Sequence, residues 1–189
     1  MNNILNLPDI SLKSTKAALL SSIKFTNIHT LPKLKGIILS INIASADSEN
    51  EYYIENLNDD ISIISDQNPI YSFAKKSSEK LNRKKGMIIS MTVILRKTNM
   101  LTFLTNLIKF SLKNVRDFDG FFIDSFDKHG NYTFSNINRL AFNEIEFNEN
   151  FRKEKFNITI NIVSPKLNNN LLFLKFLGLP FKLKKFDLL

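Results

Sequence analysis

Three segments of the chain alternate strictly along their length. Ile37, Leu39, Ile41 and Ile43 interleave with Ile38, Ser40, Asn42 and Ala44; Met87, Ile89, Met91, Val93 and Leu95 interleave with Ile88, Ser90, Thr92, Ile94 and Arg96. Phe156, Ile158, Ile160 and Ile162 interleave in the same way with Asn157, Thr159 and Asn161. A period of two sends successive side chains to opposite faces of a sheet, so each segment predicts a strand. One face of that sheet is wholly apolar and must be covered. The other consists mainly of short hydroxyl and amide groups with an arginine at one end. Antiparallel sheets tolerate a wet face, so plain solvent exposure accounts for it; a low-relief Ser/Asn/Thr/Arg surface also suits hydrogen bonding to sugar and phosphate oxygens.

Helices supply the cover. Ile54, Leu57, Ile61 and Ile64 recur at steps of three and four, marking an acidic helix over 49–65 that Pro69 cannot extend. Thr98 has the chemistry of an N-cap for a helix through Asn114, with Leu101, Leu104, Ile108 and Leu112 on one side. Ser164 and Pro165 start a third helix, which Gly178 and Pro180 stop. An N-terminal helix is expected over 11–23. A short strand is expected near Ile70 to Ala74. The sum is an α+β domain of two layers, a mostly antiparallel sheet with helices packed on one face.

One stretch fits neither period: RDFDGFFIDSFDKHGNY, from Arg116 to Tyr132. An irregular run of this length inside a domain is usually functional or disordered. Phe118, Phe121, Phe122, Phe126 and Tyr132 are too many large apolar groups to leave in water, so this reads as a long functional loop packed on something. Asp124, Asp127 and His129 within it have metal-ligand chemistry, but beside Gly130 and Asn131 such aspartates more commonly cap backbone turns.

Charge narrows the partners. With 26 Lys+Arg against 18 Asp+Glu in 189 residues, the chain carries +8 and favours a polyanionic surface; a solvated basic surface fits the same number. Lys75, Lys76, Lys80, Arg83, Lys84 and Lys85 crowd around Glu79 just before Gly86. Such a block repels itself and stays mobile unless an anion gathers it, and phosphates held there give strongly salt-dependent affinity. With no cysteine, disulfides, Cys-type zinc sites and thiol catalysis are excluded. No phosphate-cradling glycine loop, nucleophile elbow or two-histidine helix is present, and no cofactor is expected. No apolar run approaches a membrane span, so no membrane partner is expected. The start, MNNILNLPDISLKSTKAALLSS, carries an acid and no Arg, unlike a transit peptide. The crowding of Phe, Ile, Asn and Lys with only 5 Gly fits an AT-rich, organelle-type genome. Together these point to a protein made inside the organelle.

PKLKGIILSINI, SDQNPIYSFAKKS, ISMTVILR, RDFDGFFIDSFDKHGNY, FNEIEF, FNITINIV and LGLPFK follow one another in the order in which the ribosomal protein L-five family carries its signatures, and the chain from Leu31 to Lys182 closely resembles that family. The resemblance implies a structural protein of the large ribosomal subunit with no enzymatic activity; from the resemblance taken with the composition and the start of the chain, the protein is expected to be mitochondrial (matrix, ribosome) and organelle-encoded. It implies an L-five-like domain over 31–182, an N-terminal helical extension over 1–30 and a basic tail over 183–189. Its rRNA-binding face would comprise Ser40, Asn42, Gln67, Ser90, Thr92 and Arg96. The loop holding Lys75, Lys76, Lys80, Arg83, Lys84 and Lys85 would reach the P-site tRNA. Arg116, Asp117, Asp119, Asp124, Lys128 and His129 would bridge to a small-subunit protein at the head. The implied partners are large-subunit rRNA, 5S rRNA, P-site tRNA, that head protein and other proteins of the central protuberance. Gln67 and Arg96 match the family's RNA-contact residues. Ser40 replaces its asparagine, Ile94 its threonine, Asn42 and Ala44 its glycines, and Lys80 and its neighbours the loop's aromatic and first glycine. These departures leave open a ribosome without 5S rRNA; a free-standing RNA-binding protein on the same sheet is the reading from another class.

Overall fold

The three alternating segments form the centre of a five-stranded antiparallel sheet in the order β2-β3-β1-β5-β4, where β1 is Lys33–Asn42, β2 Ile70–Phe73, β3 Ile88–Leu95, β4 Tyr132–Asn138 and β5 Lys155–Val163. The computed structural model describes residues 31–44, 50–115, 118, 120–145, 155–164 and 167–182. The register explains the pattern. Ile37 lies between Leu95 and Ile160, Leu39 between Val93 and Ile158, and Ile41 between Met91 and Phe156. All of these side chains are buried. Each stabilises the fold by about 1.5–3 kcal/mol relative to exposure, and slipping one strand by a residue would turn its whole set out to water.

Three helices cover the apolar face. Helix α1 (Glu51–Ser65) starts where Asn50 Oδ1 accepts the Tyr53 N–H at 3.2 Å, and it buries Tyr53, Leu57 and Ile61. Helix α2 begins at Lys97, with Arg96 preceding it and no side-chain cap. Thr98 therefore does not cap it. Strand β3 runs almost directly into the helix, placing Thr98 inside the first turn, where its hydroxyl meets Asn99 Oδ1 at 3.3 Å. After Asn106 the helix widens into a π-turn (Leu107–Ser111) and closes with Leu112–Asn114. Helix α3 (Leu167–Phe176) ends with Gly178 at φ 97; the Gly178 N–H reaches Lys175 O at 3.0 Å and the Leu179 N–H reaches Leu174 O at 3.1 Å. That pair of bonds is the Schellman closure that glycine makes accessible. Pro165, the expected N-terminal helix over 11–23 and the tail over 183–189 lie outside the described residues.

Strand β4 breaks the sequence rule. Tyr132 and Phe134 face inward, then the register slips and Ile137 is the next buried residue, with Asn136 at φ 66 in the bulge. The slip interrupts a period of two, which is why the alternation fades there. Just beyond, Arg139 forms an ion pair with Asp60 of α1 at 2.6 Å, both side chains being over nine-tenths buried. Burial pushes the Asp60 carboxyl above its ordinary range, and the Arg139 charge and hydrogen bond offset part of that.

Candidate nucleic-acid interface

The face of the sheet away from the helices is built in rungs. Ile70, Thr92, Ser40 and Asn157 stand opposite one another across four strands. Ser72, Ser90 and Asn42 form a second rung, and Ile94, Ile38, Thr159 and Thr133 a third. Thr133 and Thr159 share a hydrogen bond of 3.1 Å between their hydroxyls. Ser40, Asn42, Ser90 and Thr92 therefore come together on one surface of small donors and acceptors. Three apolar side chains interrupt the rungs: Ile70 is 66% exposed and Ile94 43%, and Ile38 between Ile94 and Thr159 is half-buried. Strand β4 adds Thr133 to a surface that the three alternating segments alone predicted as narrower.

Arg96 is exposed where β3 ends. Ile70 pairs with Thr92, so the antiparallel register brings Gln67, three residues earlier, toward that same end. The Gln67 backbone is fixed by Ser65, whose hydroxyl takes the Gln67 N–H at 3.3 Å and donates to Gln67 O at 2.9 Å. The lysine segment sits at the opposite end, joining β2 to β3. Eight strand residues at ~3.3 Å each put roughly 25 Å between the two ends. The segment is folded as a hydrogen-bonded hairpin. Ala74 and Gly86 pair with Met87 and Ala74 at 2.8 and 2.9 Å, Ser78 and Arg83 bond reciprocally at 2.8 and 3.0 Å, and Ser77 Oγ accepts the Lys85 N–H at 3.1 Å. Backbone bonding thus offsets the repulsion. Lys75, Lys76, Lys80, Lys84 and Lys85 are exposed, and Arg83 is half-buried.

The long loop packs on the chain's own closing segment. The Phe121 N–H reaches Pro180 O at 2.8 Å and the Lys182 N–H reaches Phe121 O at 2.9 Å, a short parallel ladder between the two sequence signatures. Gly120, at φ 119, lets the backbones approach: a Cβ there would lie 3.1 Å from Lys182 N. Phe121 stacks edge-on against Phe118 and Tyr132, with centroids at 4.9 and 5.8 Å, and Phe126 lies 4.8 Å from Tyr132. Phe122 alone of the loop phenylalanines points outward, 65% exposed.

The loop tip is a polar knot. Asp127 Oδ1 accepts the His129 and Asn131 N–H groups at 2.8 and 2.7 Å, and Oδ2 accepts Asn131 Nδ2 at 2.8 Å. Desolvation acts to raise the Asp127 pKa, yet those three bonds together hold the carboxyl below the usual range. Asn131 Oδ1 in turn accepts the Ile162 N–H at 3.2 Å, and buried Asn170 of α3 donates to Gly130 O at 2.9 Å. The aspartate is committed to backbone, as its turn setting predicted. Asp124, Lys128 and His129 are exposed on this loop; Arg116, Asp117 and Asp119 lie outside the described residues. Among the described residues no cluster of His and carboxylates could hold a metal. A cleft of about 320 Å³ between Lys35, His129, Asn131, Asn161 and Ser164 joins the loop to the sheet; the pairing of β1 with β5 creates it, and no sequence spacing announces it.

The profile of the ribosomal L5P family C-terminus matches residues 88–181. The large ribosomal subunit protein uL5 of Campylobacter hominis is 33% identical over 168 residues, covering 89% of this chain and 92% of that protein. The uL5c proteins of Heterosigma akashiwo and Ostreococcus tauri are 35% and 31% identical, over 87% and 95% of this chain and 90% and 97% of their own lengths.

Proposed function

The chain is a member of the ribosomal L5P family, and from that membership we propose that it is a structural constituent of the large ribosomal subunit, with no catalysis of its own, that lays its polar sheet face on rRNA. The observation that carries the RNA face is the set of rungs of short donors and acceptors across four strands, with Arg96 exposed at one end and the lysine hairpin at the other. Short hydroxyls and amides let a sugar–phosphate backbone approach, and the two cationic ends supply the attraction that a neutral sheet lacks. In this reading the lysine hairpin contacts P-site tRNA. The loop tip with Asp124, Lys128 and His129 bridges to a small-subunit protein, and Arg116, Asp117 and Asp119 act beside it. The uL5c relatives and the AT-rich type of composition favour an organellar ribosome, which this reading takes to be that of the mitochondrial matrix.

Ile94 and Ile38 stand side by side in the rung nearest Arg96. Apolar groups there remove hydrogen-bonding sites from the face. This supports a second version of the reading, in which large-subunit rRNA and neighbouring proteins of the central protuberance hold the chain in place of 5S rRNA. One experiment addresses both. The chain has no cysteine, so Thr92→Cys carries a single tethered iron chelate for hydroxyl-radical cleavage after assembly into large subunits. Cuts in rRNA within reach of Thr92 are the expected result, and their strand, 5S or large-subunit rRNA, separates the two versions. An uncut rRNA pool would overturn the RNA-facing assignment.

A further inference from the structure

The charge of this basic chain is divided by side. Residues 36–74 contain no Lys or Arg and seven acids, from Asp47 to Asp66, so all 26 basic residues lie elsewhere. Helix α1 presents much of that acid outward: Glu51, Glu55 and Asp59 are exposed, as is Asp66 just after it, while Asp60 is turned inward to Arg139. Two large apolar side chains share this outer surface. Tyr52 is 68% exposed and Ile63 54%. At about 100° per residue they fall within roughly 20° of each other around the helix, and at ~1.5 Å rise they stand about 16 Å apart. The buried stripe of α1 is Tyr53, Leu57 and Ile61, and neither Tyr52 nor Ile63 belongs to it.

We propose that the outer face of α1 is a docking surface for a basic protein neighbour in the large subunit, with Tyr52 and Ile63 as apolar anchors and Glu51, Glu55 and Asp59 as the charges that select it. The inference rests on the ribosomal reading above. Charge complementarity fixes the class of occupant. RNA phosphates are repelled by this face, whereas an Arg- and Lys-rich protein gains steering and register from it, and a large apolar anchor rimmed by charge is the usual anatomy of a protein contact. The position agrees: α1 lies on the helical layer, behind the sheet, so a protein bound there leaves the polar face open to RNA.

The test uses the whole chain with Ile63→Cys carrying a benzophenone, assembled into large subunits and irradiated. The expected product is one cross-link to a ribosomal protein of high pI. Adding Glu55→Lys and Asp59→Lys should lower its yield at least tenfold while the chain still sediments with the subunit. A cross-link to rRNA, to a second copy of this chain or to nothing, in subunits that do contain the chain, overturns the docking surface and leaves the ribosomal reading standing. A product whose yield survives the charge reversal also overturns it. Failure of the unlabelled chain to sediment with the subunit would instead overturn the reading on which it rests.

Discussion

Arg96 is the residue on which the polar face depends most, because it is exposed at a strand end and carries the only charge in the alternating polar set of β3. Arg96→Ala should weaken RNA binding by about 1–3 kcal/mol, the range of a charge-assisted hydrogen bond. Binding isotherms at matched salt check this, and unchanged affinity would remove Arg96 from the interface. Arg139 works differently. Arg139→Ala leaves the Asp60 carboxylate buried and uncompensated and should cost about 3–5 kcal/mol, whereas Asp60→Leu with Arg139→Leu together should recover most of it. Urea unfolding of the single and double variants measures both. Asp127 gives a pH signature. Its pKa is lowered in the fold, so its contribution is present above the ordinary carboxylate value of ~3.9 and is lost as pH falls through the lower folded value. Amide exchange at His129 and Asn131 should accelerate over that acid window in the native chain, and Asp127→Asn should abolish the step.

At the scale of elements, the lysine hairpin joins an ordered backbone to exposed charge. Lys84→Gln with Lys85→Gln should leave thermal unfolding unchanged, and should flatten the salt dependence of tRNA binding by about one charge each. A loss of stability would show the two lysines to be structural. The elements that the sequence makes legible are those with an unbroken period: β1, β3 and β5 on a period of two, and α1 and α2 on a helical stripe. The illegible ones have physical causes. Strand β4 slips between Phe134 and Ile137, and Thr98 yields the start of α2 to Arg96 because the strand feeds straight into the helix. The long loop was recognisable from its phenylalanines as something that packs. Its partner was not, because the ladder from Phe121 to Pro180 and Lys182 joins segments about sixty residues apart, and local spacing holds no record of such a contact. Ser40, Asn42, Ser90 and Thr92 were assigned to one face from alternation alone and do share one; that Arg96 and the lysines stand at opposite ends follows only from the register.

For the whole molecule, the layers separate three surfaces: a polar sheet face with cationic ends, an acidic helix with two apolar anchors behind it, and a loop tip at the β4 edge. A protein that must touch RNA and proteins at once gains from keeping them on different sides, since each charge pattern repels the wrong partner. The ribosomal reading sets that arrangement inside a particle, and sedimentation of the native chain with purified ribosomal subunits in high salt tests it most directly. The account predicts one copy per large subunit, retained after a high-salt wash, because many contacts on several faces must break together for it to leave. Release of the chain to the top of the gradient while the large subunit remains intact would contradict it.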